Sequence, residues 1–466
     1  MKKVLCTIAL MLLVSGSAYA QATFSLTGNY WAEGKYWFNY NAGPGTDANY
    51  NDNSFGFYEQ DINLFPKISV GNTSLNFKIA ITDVYWGASG AEGSEGVTQT
   101  DSFGGDDDGI QIERAFLTHK FDNGLMLDVG LMDGTAWGTS FADDTQAQWR
   151  VKLMGMTKVG MLGAVLEKNV ERGAFGIDEG EDRDSYGLFA ISKVGDVYVK
   201  PLLWYVDAND SFPGSGEGMT IFNPVLAFDG ELAGLSFEAE FNYKMYSFES
   251  SVIDEDWETL GIYLNFWKAL DSMTPGIVLA YGSQDNSMAK KIAEAETERT
   301  DGIAGINAAI EAGVTETTLN MTEAEALAAV AGLESLEGLY DSISYLTSFD
   351  FEDDFNSTVI LGDEYGWGGG DDLRGMTMVK LYVDDIKTGM DPLTISTYAA
   401  YVMSNEDDTD FEDATAWEIG LGAAYKITDN LVYSVYGAYA DIDYDVTGYD
   451  DPDSVYVIAN AIEFSF

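Results

Sequence analysis

A membrane-spanning antiparallel β-barrel is the fold this sequence predicts, and three observations predict it. The last segment, Ser454 to Phe466, alternates strictly: Phe466, Phe464, Ile462, Ile458 and Tyr456 fall on one side, Ser465, Glu463 and small residues on the other. Period 2 is the strand period, and apolar-out with polar or small residues in is the pattern of a wall between lipid and water. Next, no stretch beyond Ala20 approaches the ~18 consecutive apolar residues of a membrane helix, yet the chain is rich in Tyr (27), Phe (25) and Trp (10). Finally, the strand-like segments are joined by short turns and long loops in strict alternation. A barrel with both chain ends on one side of a membrane requires that alternation, whereas a soluble sandwich gives no reason for it.

Taken in order, Met1 to Ala20 reads as an export leader. Lys2 and Lys3 are its basic start, Val4 to Val14 its apolar run, and Ala18-Tyr19-Ala20 a small-x-small cleavage site before Gln21. Cys6 lies inside the apolar run and is the only cysteine, so the exported chain is expected to hold no disulfide. The barrel is then expected over 21–466. Thr23 to Tyr40 opens it, with Phe24, Leu26, Tyr30, Tyr36 and Phe38 on one face. Phe57 to Val70 turns at Gly71-Asn72 into a strand carrying Leu75, Phe77, Ile79 and Ile81, and Ile110 to Phe121 turns at Asp122-Asn123-Gly124 into Leu125 to Met132. An Asn-Gly pair between alternating segments is a strong hairpin signal. Further hairpins follow: Trp149 to Thr157 with Met161 to Lys168; Tyr186 to Lys193 with Val197 to Val206; and Met219 to Phe228, turning at Asp229-Gly230, with Leu235 to Phe248. Trp257 to Trp267 pairs with Gly276 to Tyr281, Gly375 to Val383 with Leu393 to Met403, Ala416 to Ile427 with Leu431 to Tyr444, and Val455 to Phe466 closes the set. The count is about eighteen strands, with about sixteen as the alternative.

One segment breaks the alternation. Over 284–356 helix formers take over, in Met288 to Glu296 and Ile303 to Gly313. Thr322 with Glu325 then forms a capping box ahead of Ala324 to Tyr345, where Leu327, Val330, Leu333, Leu336, Leu339 and Ile343 recur at helical spacing. This helical insertion falls on the long-loop side. Either it folds over or into the mouth of the barrel, or it decorates the surface, and decoration is the expectation because its composition carries no distinctive ligand chemistry.

Charge excludes several classes. With 77 acidic against 24 basic residues the net formal charge is −53. That argues against nucleic acid or an anionic membrane surface as a partner. Disorder, the usual meaning of such acidity, conflicts with a hydrophobic fraction of 46% and periodic aromatics. His119 is the only imidazole and sits near a short turn, so the nucleophile–base pair of an enzyme is not in view. Strand signals begin almost at Gln21, so a globular plug ahead of the first strand is not expected. No cofactor is expected, although the outer-loop acids Asp106, Asp107 and Asp108 have the oxygen chemistry to hold Ca2+ or Mg2+ without the spacing of a dedicated calcium loop.

Together these features resemble a Gram-negative outer-membrane porin, most similar in character to the acidic porins of sulfate- and metal-reducing, deltaproteobacterial species. Gln111-Ile112-Glu113-Arg114-Ala115-Phe116-Leu117, then Val129-Gly130-Leu131-Met132-Asp133 and Trp137-Gly138, are similar to the early strands and third-loop entry of that group, and Phe466, Phe464 and Ile462 resemble its membrane-assembly signal. The resemblance implies passive diffusion of small hydrophilic solutes or ions through a water-filled pore in the outer membrane. It also implies a homotrimer, contacts with lipid and lipopolysaccharide, and insertion by the barrel assembly machinery. It further implies one inward-folded loop, for which Asp133 to Gln146, carrying Asp143 and Asp144, is the positional match.

Acids on such a loop opposite bases on the wall set up a transverse field that orders water. Arg114, Arg150 and Lys152 are the wall candidates, with Lys120 beside them. Parity leaves the inner face of 110–121 open, because Arg114 shares its side with Phe116 while Glu113 shares the other with Leu117. The excess of acid predicts a cation-preferring pore. The competing expectation is a structural or adhesive envelope barrel with a narrow or plugged lumen.

Overall fold

The computed structural model describes residues 22–40, 53–86, 110–134, 136–143, 145–170, 183–208, 218–249, 254–312, 319, 321–334, 355, 357–362, 375–405, 414–443 and 454–466. The stretch Met1 to Ala20 expected to be a leader, Asp106, Asp107, Asp108 and Asp144 lie outside them. Eighteen strands run in chain order: β1 (Thr23–Tyr40), β2 (Asn53–Val70), β3 (Thr73–Tyr85), β4 (Gln111–Lys120), β5 (Leu125–Asp133), β6 (Ala147–Thr157), β7 (Gly160–Val170), β8 (Arg183–Val194) and β9 (Val197–Ala208). Then come β10 (Gly218–Leu232), β11 (Leu235–Glu249), β12 (Asp254–Trp267), β13 (Thr274–Gly282), β14 (Met376–Lys387), β15 (Leu393–Ser404), β16 (Thr415–Thr428), β17 (Leu431–Asp443) and β18 (Val455–Ser465). Each pairs antiparallel with the next, and β18 pairs with β1 to close the cylinder. Closure leaves no open sheet edge.

The seam is made by the chain's last residue. Gly28 N–H donates to the Phe466 carbonyl at 2.9 Å, and Phe466 N–H donates to the Gly28 carbonyl at 3.0 Å. A Cβ on residue 28 would lie 2.5 Å from Phe466 Cζ, so glycine is what lets the terminal ring lie across β1. The short turns open where glycine allows positive φ, at Gly71 (57°), Gly124 (86°) and Gly195 (65°).

Side chains alternate as a wall between two media. On β18, Tyr456, Ile458, Phe464 and Phe466 are 38–57% exposed outward, while Val455, Val457, Ala459 and Ala461 are at most 4% exposed inward. A lateral row of Val151, Leu166, Tyr186, Tyr205 and Phe222 crosses β6 to β10, every member exposed on the outside. The buried polar residues, among them Glu33, Lys35, Asp128, Glu167, Glu240 and Glu418, lie on the inner face. Apolar outside and polar inside is the reverse of a soluble sandwich and fits a surface bathed in hydrocarbon.

Two local expectations change. On β4 the register shifts between the Lys78–Arg114 and Ile79–Ile112 pairs, so Glu113 is the extra residue of a β-bulge. The bulge flips parity within the strand: Ile112 and Leu117 both face outward, and Arg114, Phe116 and Thr118 share the inner side. On β10 the strand runs through Asp229-Gly230 to Leu232, and the turn is Ala233-Gly234, with φ of 55° and 78°. Gly230 serves close approach instead, since a Cβ there would sit 2.3 Å from the Asp196 carbonyl oxygen.

The insertion after β13 is helical where described. Helix α1 (Asn286–Glu311) joins the two expected stretches into one, capped by Asp285, whose carboxylate accepts from Met288 N–H at 3.1 Å. Helix α2 (Glu323–Glu334) starts at the expected capping box: Thr322 N–H donates to Glu325 Oε2 at 2.7 Å, and Glu325 N–H donates to Thr322 Oγ1 at 3.3 Å. Its buried stripe is Ala326 and Val330 with Leu333 half-buried, whereas Leu327 is exposed; residues 335–345 lie outside the described set.

Candidate functional site

The lumen holds the candidate site, and two segments fold into it. The first is residues 134–146 between β5 and β6, the expected inward loop. A short 3-10 turn, Ser140–Ala142, shapes its tip, and Asp143 Oδ1 accepts from Trp137 N–H at 2.5 Å to close the loop on itself. The tip is held by the far wall. Glu240 Oε2, on β11, accepts from Thr139 N–H at 2.9 Å and from Thr139 Oγ1 at 2.8 Å. Trp137 Nε1 donates to the Lys200 carbonyl at 3.2 Å, and Lys200 Nζ donates to the Gly138 carbonyl at 3.5 Å. Gly138 has φ of 88°, and a Cβ there would meet Ala227 Cβ at 2.6 Å, so only glycine brings the loop this close to the wall.

The loop's root is fixed by Arg150. Its Nε pairs with the buried Glu167, its Nη1 donates to the Asp133 carbonyl, and its guanidinium lies 5.5 Å from the Trp204 ring centre. Glu167 is held in turn by Asn169, 2.6 Å away, which accepts from Ser185 Oγ at 2.7 Å. Lys152 lies 3.7 Å from Asp128, which accepts from Thr118 Oγ1 at 2.6 Å. Arg114 pairs with Asp133 beside the root.

Between this loop and the wall from β6 to β11 lies a chamber of about 740 Å3. Its charged lining is Arg150, Lys152, Arg183 and Lys244, with Asp143 the one acid among the described lining residues. Gln146, Gln148, Asn169, Asn223 and Asn242 add amides, and Trp137, Phe189, Trp204, Leu202 and Val165 form an apolar strip. The structure therefore brings Asp143, Arg150 and Lys152 to one cavity and leaves Arg114 at the loop's root. Arg183 and Lys244 were missed by sequence reasoning; their inward parity on β8 and β11 was the signal available.

The second inward segment is Phe355 with residues 357–362. It sits on the opposite wall, where Glu418 of β16 accepts from the N–H groups of Val359 (2.9 Å), Ile360 (3.1 Å) and Leu361 (2.9 Å). The two segments meet: Phe141 lies 5.5 Å from Phe355, and both rings pack on Tyr263 at 5.6 Å. Helix α1 enters as well. Met288 and Ile292 are buried against inward-facing Met219, Tyr246, Phe248 and Trp257 of β10 to β12. Of the two readings of the insertion, the described helix thus folds into the mouth. Among the described residues no cluster of three or more His, Cys, Asp or Glu side chains is arranged to hold a metal ion.

No protein-family model matches the chain, and no curated protein matches it. Solved structures do. OccK2 (OpdF) of Pseudomonas aeruginosa, in complex with glucuronate, superposes with a TM-score of 0.53 at 10% identity, covering 97% of this chain and 99% of its own. OccK9 (OpdG) of the same organism gives 0.53 at 12% identity, over 95% and 98%. OpdK with vanillate gives 0.51 at 8%, over 96% and 100%. At such identities the likeness is one of fold: the closed antiparallel barrel is shared along nearly the whole of both chains.

Proposed function

We propose that this chain is a passive diffusion channel of a bacterial outer membrane, and that its chamber favours small anionic solutes, carboxylates above all. The observation that carries the proposal is the chamber's lining of four bases against one acid inside a chain of net charge −53. The carboxylates paired with Arg150 and Lys152 stand deeper in the wall than their partners, Glu167 4% and Asp128 5% exposed, and Lys152 is the more open of the two bases. Charges farther away than a Debye length, about 10 Å at 0.1 M salt, are largely screened. The groups at the chamber, four bases against Asp143 and the paired Glu167 and Asp128, therefore weigh more in its potential than distant charge, and this local reading replaces the cation preference expected from total charge. Two of the similar solved structures hold carboxylates, OccK2 with glucuronate and OpdK with vanillate, which fits it.

The setting follows the same proposal. The apolar outer face supports residence in a bilayer, and the leader Met1 to Ala20 supports export with cleavage before Gln21. Insertion by the barrel assembly machinery through Phe464 and Phe466, trimer formation, contact with lipopolysaccharide and kinship with acidic porins of sulfate- and metal-reducing bacteria are parts of the proposal that sequence character supports.

The test is single-channel recording in a planar bilayer under a KCl gradient. An anion-side reversal potential that moves toward the cation side in a Lys152→Gln, Arg183→Gln, Lys244→Gln triple variant supports the chamber as the selective element. A cation-side reversal indifferent to those substitutions overturns it and returns selectivity to the acidic loops. A second reading, a structural barrel without conduction, is favoured by one observation: Phe355 with residues 357–362, the first inward loop and α1 all occupy lumen. A folded barrel that never conducts would establish it.

A further inference from the structure

The second inward segment is attached in a way that walls are not. Its backbone donors join no strand; they converge on one carboxylate. Glu418 Oε1 accepts from Val359 and Ile360, Oε2 accepts from Leu361 at 2.9 Å and from Ile360 at 3.2 Å, and the Tyr398 hydroxyl donates to Oε1. Lys380 Nζ donates to the Ser357 carbonyl. The wall beneath is recessed by small inward residues, Ala400, Ala416, Ala438 and Ala440, and Ile360 and Leu361 fill the recess at 0% and 1% exposure. Behind the segment lie polar groups, Glu418, Lys380 and Tyr398, which water can solvate once the segment leaves. A strand-built core has no such reserve of wettable groups.

We propose that residues 357–362 are a latched plug. Glu418 is the latch, Phe355 on Phe141 and Tyr263 is a hook that couples the plug to the first inward loop, and release opens a second passage along β14 to β18, separate from the chamber along β6 to β11. The electrical part of this proposal rests on the channel reading above; the mechanical part does not.

The test reads both. Cys6, the sole native cysteine, is replaced by Ala, and Leu361→Cys is introduced as a reporter that the latched state shields. A water-soluble methanethiosulfonate reagent measures its access. Glu418→Gln puts an amide N–H against the segment's N–H donors and unlatches it. Expected are at least ten-fold faster labelling and a larger single-channel conductance, with the heat-modifiable barrel retained. Unchanged labelling in conducting barrels overturns the latch and leaves the channel reading standing. Faster labelling with no conductance in any variant supports the latch and overturns the channel reading. Should Glu418→Gln fail to fold, Phe355→Ala loosens the hook from the lumen side without touching a strand. Faster labelling there supports the latch, and an unchanged rate overturns it.

Discussion

Truncating Glu240 to Ala tests whether the first inward loop is held by the far wall. The carboxylate accepts two hydrogen bonds from Thr139, at 2.9 Å from the N–H and 2.8 Å from the hydroxyl. Hydrogen bonds to a charged group contribute about 1.5–3 kcal/mol each, so the pair amounts to about 3–6 kcal/mol before desolvation is counted. Glu240 is fully buried, and keeping a charge there costs part of that gain. A net loss of about 2 kcal/mol is a conservative expectation, which raises the undocked-to-docked ratio of the loop about thirty-fold. The contacts of Trp137 with Lys200 and of Phe141 with Tyr263 remain, so the loop loosens without leaving. Single-channel recording reads this as added open-channel noise and a higher mean conductance. Thr139→Val removes the hydroxyl donor alone and is expected to give about half the free-energy effect, roughly five-fold. Wild-type noise and conductance in Glu240→Ala would refute the anchoring argument.

Three further outcomes are expected. Gly28→Ala places a Cβ 2.5 Å from Phe466 Cζ and 2.7 Å from the Asn63 carbonyl oxygen, so it unseats the terminal ring and costs about 1–3 kcal/mol, read as a lower midpoint of heat modification. Ile458→Arg, at a site 57% exposed on the outer face, destabilises the lipid-embedded barrel by about 2–4 kcal/mol in denaturant titration, and no loss there would contradict the hydrocarbon-facing assignment. Hydrogen bonds from the backbone and hydroxyl of Thr322 hold the Glu325 carboxyl below the usual carboxylate range. Its contribution to the start of α2 is therefore complete above that usual range and lost as pH falls through the lower folded value; amide exchange of α2 should show that step, and Glu325→Gln should abolish it.

The strands were legible because two solvents enforce period 2 along every one of them, as the outward Tyr456, Ile458, Phe464 and Phe466 show. Legibility failed where backbone geometry departs from the pleat. Glu113 hides the β4 bulge, since an extra residue leaves composition unchanged and inverts every later position. Asp229-Gly230 imitates a turn because a glycine held inside a strand by close approach looks the same in sequence as one at a turn. The site was less legible for a different reason: its joints are long-range. Thr139 and Glu240 are 101 residues apart, and Val359 and Glu418 are 59 apart. Hints existed in the acids at inward parity within apolar strands, Ala239-Glu240-Phe241 and Trp417-Glu418-Ile419, and in the inward alanines of β15 to β18. Each marks a place where something other than water must be met.

A barrel of this strand number is wide enough to leave an aqueous channel unless it is filled, and the manner of filling carries the functional argument. The wall from β6 to β11 faces its chamber with guanidinium, ammonium and amide groups beside an apolar strip, whereas the wall from β15 to β18 sets small residues, among them Ala400, Ala416, Ala438 and Ala440, around the Glu418 and Tyr398 pair. Phe141, Tyr263 and Phe355 stand between them as a partition built from both inward segments and the wall. Total charge is silent about such a division, because acids gathered in outer loops and bases gathered at one inner wall sum to the same net value as any other arrangement. What a solute meets is decided by which side of the partition it enters. On the proposed reading, anions take the route past the bases of β6 to β11, and the second route stays shut for as long as Glu418 keeps its three backbone donors.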